Sequence, residues 1–172
     1  MSFLKIFLKT LNNNKFLKKN NPEILEIGCG NGNDVKDFID NGFSIVGADV
    51  EFKKGPHIQS LIEENIIRPI TVNASRKDIG TKSTHYAWPV EDESVDFIVS
   101  SSVIEHVENL VDFSNESYRT LKDNGYIIHY FPSKYALMEA HVGVPFAGAF
   151  KNKNYIKLMH LIGLCKTKFK VR

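Results

Sequence analysis

The stretch ILEIGCGNGND, residues 24–34, constrains this chain most. A short apolar run ends in Gly28, Gly30 and Gly32. Asp34 follows as a helix cap, ahead of Val35, Phe38 and Ile39 at helical spacing, and Asn41-Gly42 marks the stop. Strand, glycine turn and helix in that order bury their apolar faces only beside further units of the same kind.

Further units follow. Phe43–Val50 reads as a second strand, and Ile58, Leu61, Ile62 and Ile66 as a second helix. Pro69–Asn73 is expected to form the third strand, and 74–88 to be mostly loop. Val95–Ser101 is the fourth strand. Residues 109–122 form a helix closed by Asn124-Gly125, and Tyr126–Phe131 is the fifth strand. Near the end, Cys165, Thr167, Phe169 and Val171 alternate with Lys166, Lys168, Lys170 and Arg172, the pattern of a sixth strand with a lysine face that protects a sheet edge. The expected fold is α/β, a Rossmann-like doubly wound and mostly parallel sheet with helices on both faces. At 172 residues, 42% of them hydrophobic, the chain suits one domain with a core and is too short for two. We divide it into an N-terminal basic amphipathic segment (1–21), a core (22–135), and a cover ending in the basic strand (136–172).

Charge is distributed unevenly. Residues 1–21 carry five lysines and no acid, and residues 151–172 carry six lysines, Arg172 and no acid, although the whole chain is only +2. Such tails can meet an anionic membrane surface, whereas no basic patch interleaved with aromatics points to nucleic acid. Lysine outnumbers arginine 18 to 4, so codon bias accounts for the runs equally well. Cys29 and Cys165 give no disulfide framework, and a reduced, cytoplasmic compartment is the expected home. Lys5 and Lys9 interrupt the apolar start, so neither a signal peptide nor a spanning helix is expected.

The glycine turn can serve nicotinamide, flavin, nucleotide or S-adenosylmethionine. A nicotinamide fingerprint needs Gly-x-Gly-x-x-Gly, but the spacing here is Gly-x-Gly-x-Gly, with Asn33 in the sixth place. Glu26, two residues before Gly28, can hold a cationic amino group and would repel a pyrophosphate. Asp49, closing the second strand, can accept both hydroxyls of a ribose.

Taken in order, ILEIGCGNG, GADV, WPVEDESVDFIVSSSVIEHV and RTLKDNGYIIHYFP resemble the class I S-adenosylmethionine-dependent methyltransferases of the broad small-molecule type, over roughly residues 22–135. The resemblance implies S-adenosylmethionine as cofactor and a small-molecule, lipid or sugar-like methyl acceptor. It places Glu26 at the methionine amino group, with Gly28, Cys29 and Gly30 along the methionine and ribose. It puts Asp49 at the ribose hydroxyls, Val50 against adenine, Ser101 and Ser102 beside the sulfonium, and His106 near the transferred methyl. Where the family commonly has an acid near adenine, this chain has Thr84 with His85 and Tyr86 beside it. The family sheet has seven strands, against six here, so the chain either ends early or completes its sheet by pairing with a second copy.

If the acceptor arrives protonated, a general base is needed. His106 is the first candidate, and His141 in EAHVGVPF the second. His129 is expected to be structural. The histidines lack metal-ligand spacing, so no metal is expected. Ser100–Ser102 lie outside a Gly-x-Ser-x-Gly elbow, which argues against serine hydrolysis. Two rival readings remain: a non-catalytic methyltransferase-like binding subunit and a nicotinamide-dependent oxidoreductase.

Overall fold

The computed structural model describes residues 2–14, 17, 19–73, 84–107 and 109–131. His141 and the basic strand expected at 165–172 lie outside them. The chain divides into two compact units, Met1–Tyr130 and Phe131–Arg172, and every described helix and strand belongs to the first.

Helix α1 (Phe3–Asn13) is followed by β1 (Glu23–Ile27), α2 (Asn33–Asp40), β2 (Ser44–Asp49), α3 (Ile58–Glu63) and β3 (Ile67–Pro69). Next come the short strands β4 (Thr71–Val72) and β5 (Tyr86–Ala87), then β6 (Val95–Ser101), α4 (Leu110–Thr120) and β7 (Leu121–Tyr130). Among the described residues, five strands form one sheet in the order β3-β2-β1-β6-β7, with every neighbour pair parallel. β4 and β5 form a separate antiparallel pair.

Because side chains alternate across a strand, β1 and β6 divide their apolar residues between two layers. Ile24, Phe97 and Val99 join Phe3, Phe7, Val35, Phe38 and Leu61 on the face covered by α1, α2 and α3. Leu25, Ile27 and Ile98 join Trp88 and Phe113 on the face covered by α4, and Val95, ahead of the irregularity at 95–97, joins them out of alternation. Phe7 is fully buried, with its ring 5.5 Å from Phe97 and 5.2 Å from Phe38. The amphipathic start of the chain therefore docks on its own sheet, where a buried aromatic contributes about 1.5–3 kcal/mol.

Three expectations about the elements need correction. The third strand of the sheet is Ile67–Pro69, earlier than 69–73, because Asn65 at φ 56° ends the helix and frees Ile66 and Ile67. Asp34 is not the helix cap. Gly32 holds that position and Asp34 lies in the first turn. Finally, α4 runs directly into β7. The pairing steps from Val95↔Leu121 to Phe97↔Tyr126, so residues 122–125, including Asn124-Gly125, bulge out within the strand.

Candidate functional site

The site lies where the parallel strands end and the glycine turn begins. Gly28 and Cys29 both donate their N–H to Ala48 O, at 2.7 and 3.3 Å, which prolongs the β1–β2 pairing into the turn. Gly28 has φ +77°, and a Cβ on it would lie 2.3 Å from Val103 Cγ2. Only glycine meets both conditions. Gly30 N–H donates to Asp49 Oδ2 at 2.8 Å, and Lys53 N–H donates to Gly30 O at 3.0 Å. The turn is thus held from below by β2 and from the side by the segment after it.

Two carboxylates serve different purposes here. Asp49, at the end of β2, uses Oδ2 for Gly30 and Oδ1 for Glu51 N–H at 3.2 Å. Each oxygen keeps a lone pair, so the group can still accept from a ligand. Glu26 is 2% exposed, and its Oε2 has no hydrogen-bond partner among the described residues. Burial first, then the negative charges of Asp34 and Asp49, pushes its pKa up to about 8. A cation brought to this oxygen would reverse that balance. The Cys29 thiol is buried and its pKa is pushed up by burial, then by Glu26 and Asp49, so it is not a ready thiolate.

Across the turn, Ser102 has φ 57° and donates its N–H to Tyr130 O at 2.8 Å. This left-handed residue swings the chain out of β6 into a single 3-10 turn, Ile104–His106, and brings Val103 down onto Gly28. A cavity of about 420 Å³ opens between the two sides. Its wall brings together Gly28, Asp49, Val50, Ser101, Ser102 and His106. Glu26, Cys29, Gly30, Thr84 and His85 are not on that wall. Thr84 is fully buried, with its carbonyl accepting from Asn109 Nδ2, and His85 Nδ1 lies 3.3 Å from Asp112 Oδ1.

The wall also holds residues that sequence reasoning did not assign to a site, among them Lys53, Trp88 and Phe113, and it holds Tyr86, which the sequence placed only as a neighbour of Thr84. The aromatic side is compact, with the Trp88 and Phe113 ring centroids 5.1 Å apart. Behind it, Ser100 Oγ and His129 Nδ1 are 2.7 Å apart, and burial lowers the His129 pKa. The imidazole packs 5.6 Å from the Phe113 ring, which is a structural placement. Among the described residues no cluster of His, Cys, Asp and Glu is arranged to hold a metal ion.

The family profile described as "Methyltransferase domain" matches residues 25–129. A ubiquinone biosynthesis O-methyltransferase of Rickettsia conorii is 31% identical over 110 residues, covering 62% of this chain and 33% of that protein. The chain therefore matches about one third of the length of that curated relative. Among solved structures, the YcgJ protein of Bacillus subtilis gives a TM-score of 0.50 at 20% identity, over 73% of this chain and 48% of that one. A SAM-dependent methyltransferase from Aquifex aeolicus gives 0.50 at 16% identity, over 91% and 78% of the two chains. These likenesses bear on the fold, and the profile match, which spans more than half of the chain, settles kinship: this chain belongs to the methyltransferase-domain family.

Proposed function

We propose that the domain binds S-adenosylmethionine and transfers its methyl group to the hydroxyl of a small-molecule acceptor. The observation that carries the reading is the pair of carboxylates flanking the glycine turn. Asp49 stands on the cavity wall with acceptor capacity left over, and Glu26 Oε2 is buried and without a hydrogen-bond partner among the described residues. The residues fit the cofactor in kind: Asp49 on the wall suits a ribose diol, the buried carboxylate of Glu26 behind the wall suits an ammonium, and the apolar wall of Ile70, Trp88 and Phe113 suits a purine ring.

When bound, S-adenosylmethionine supplies an activated methyl on a sulfonium. The chain's own task is to align the acceptor and exclude water, which is catalysis by proximity. Gly28 allows close approach of a ligand to the backbone, while Ser101 and Ser102 bound the opposite side. His106 is the group on the wall suited to accept the proton that a hydroxyl acceptor gives up. The O-methyltransferase name of the Rickettsia relative supports a hydroxyl acceptor.

Calorimetric titration with S-adenosylhomocysteine, and with NADH in parallel, tests the reading. Binding of the first, lost in Asp49→Ala, is expected. Binding of NADH alone would replace this reading with an oxidoreductase. Transfer of labelled methyl to a panel of phenolic and sugar hydroxyls, diminished in His106→Ala, tests the acceptor class.

A further inference from the structure

Tyr86 and Trp88 belong to a segment that is a strand on one edge only. On that edge, β5 pairs with β4, and His85 O accepts from Asn73 N–H at 3.1 Å. Among the described residues no strand lies beside the other edge. There several N–H and C=O groups of the even-numbered residues meet side chains of α4 and its N-cap Asn109 instead. Asn109 Nδ2 donates to Thr84 O. Tyr86 N–H donates to Asp112 Oδ2 at 2.6 Å, and Trp88 N–H to Glu116 Oε2 at 2.7 Å. Arg119 closes the row, donating to Trp88 O at 3.1 Å and Val90 O at 3.0 Å.

The spacing explains why this works. Residues 109, 112, 116 and 119 fall three, four and three apart, which is one stripe of a helix. Residues 84, 86 and 88 present their backbone groups to the same side of an extended chain, and a tight turn in which Val90 N–H donates to Trp88 O at 2.9 Å brings the Val90 carbonyl to the same helix. The stripe therefore does for the segment what a neighbouring strand would do, with charge-assisted bonds to two carboxylates and a guanidinium. Arg119 also holds Glu116 through both of its oxygens, at 2.8 Å each, so acceptor and donor are fixed together. One residue from the stripe, Phe113 packs on the Trp88 ring and shares the cavity wall with it.

We propose that Asp112, Glu116 and Arg119 are positioning residues for the methyl donor: they grip the main chain at 86–90 and so set how far Tyr86 and Trp88 reach into the cavity. This rests on the methyl-transfer reading above, and two readouts keep the two apart.

Trp88 is the single tryptophan of the chain, so its fluorescence reports the wall directly, with or without ligand. In the full-length protein, Glu116→Ala is expected to raise acrylamide quenching of Trp88 and weaken S-adenosylhomocysteine binding about tenfold, measured where the variant is fully folded. Glu116→Gln keeps an oxygen for the Trp88 N–H and is expected to restore both to within about threefold. Asp96→Asn, which loosens the opposite end of β6, is the control: it should lower the melting temperature and leave quenching and affinity unchanged. Parental quenching and affinity in Glu116→Ala would overturn the inference, as would equal losses in Asp96→Asn. If the parent protein itself fails to bind S-adenosylhomocysteine, the donor reading falls and with it the ligand half of this inference. Quenching still decides the half that concerns the wall.

Discussion

Asp49 accepts the Gly30 N–H at 2.8 Å, so the carboxylate that faces the cavity also fixes the turn that forms its floor. Structure and binding are joined in one side chain, and substitutions can separate them. Asp49→Asn keeps an oxygen for Gly30 but loses the charge, so the turn should persist while ligand hydroxyls are held less well. Asp49→Ala loses both. Hydrogen bonds to a charged group contribute about 1.5–3 kcal/mol, so the alanine variant should bind S-adenosylhomocysteine at least tenfold more weakly. Calorimetry checks affinity, and a parental melting temperature in Asp49→Asn would confirm that the turn survives.

Glu26 makes the protein sensitive to pH. Folded, it keeps its proton up to about pH 8, whereas its ordinary value is 4.5. The folded state thus binds more protons between those values, and stability falls as pH rises through the window. Glu26→Gln should flatten that slope in urea titrations run from pH 5 to pH 8. An ammonium placed against Glu26 favours its ionised form, so ligand binding near pH 7 should release a proton. Calorimetry in two buffers of different ionisation enthalpy would detect the release, and Glu26→Gln should abolish it.

Gly28 is expected to resist replacement for two separable reasons. Its left-handed φ costs an alanine roughly 1–2 kcal/mol, and the added methyl meets Val103 at 2.3 Å. Gly28→Ala should therefore be destabilised and lose ligand binding. Adding Val103→Ala should recover the part due to overlap and leave the backbone part, a difference visible in urea unfolding.

Asp96 sits far from the site and acts on stability alone. Burial opposes its charge, but hydrogen bonds from Glu23 N–H, Lys19 and Lys122 outweigh that and hold its pKa at about 2. Its contribution is present above the ordinary value of 3.8 and is lost as pH falls towards 2. Asp96→Asn should cost about 1–2 kcal/mol at pH 7, allowing for screening of the partly exposed lysines, and almost nothing at pH 2.

The parts of the molecule that were legible in the sequence are those settled within a few residues. The β1–turn–α2 unit, Asp49 at a strand end and the strand Val95–Ser101 all follow from local alternation and glycine spacing. The third strand was misplaced because Ile66 continues the helical spacing of Ile58 and Ile62, and the left-handed turn at Asn65 that breaks it was not weighed. Trp88 and Tyr86 were missed as wall residues for a different reason. Their place depends on Asp112, Glu116 and Arg119, more than twenty residues away, which read in one dimension as an ordinary solvated helix face. Lys53 was likewise hidden, since only the fold carries its stem along Gly30.

The grip of α4 on residues 84–90 falls on peptide groups, which every residue except proline offers alike. The wall's side chains are therefore interchangeable as far as its anchorage is concerned. Tyr86 or Trp88 can be swapped to reshape the pocket without disturbing the mooring, whereas the three polar positions on α4 admit only substitutes that keep a matching acceptor or donor. A family built this way can diversify what it binds by changing the gripped segment and sparing the helix, and the two elements should accumulate sequence change at very different rates.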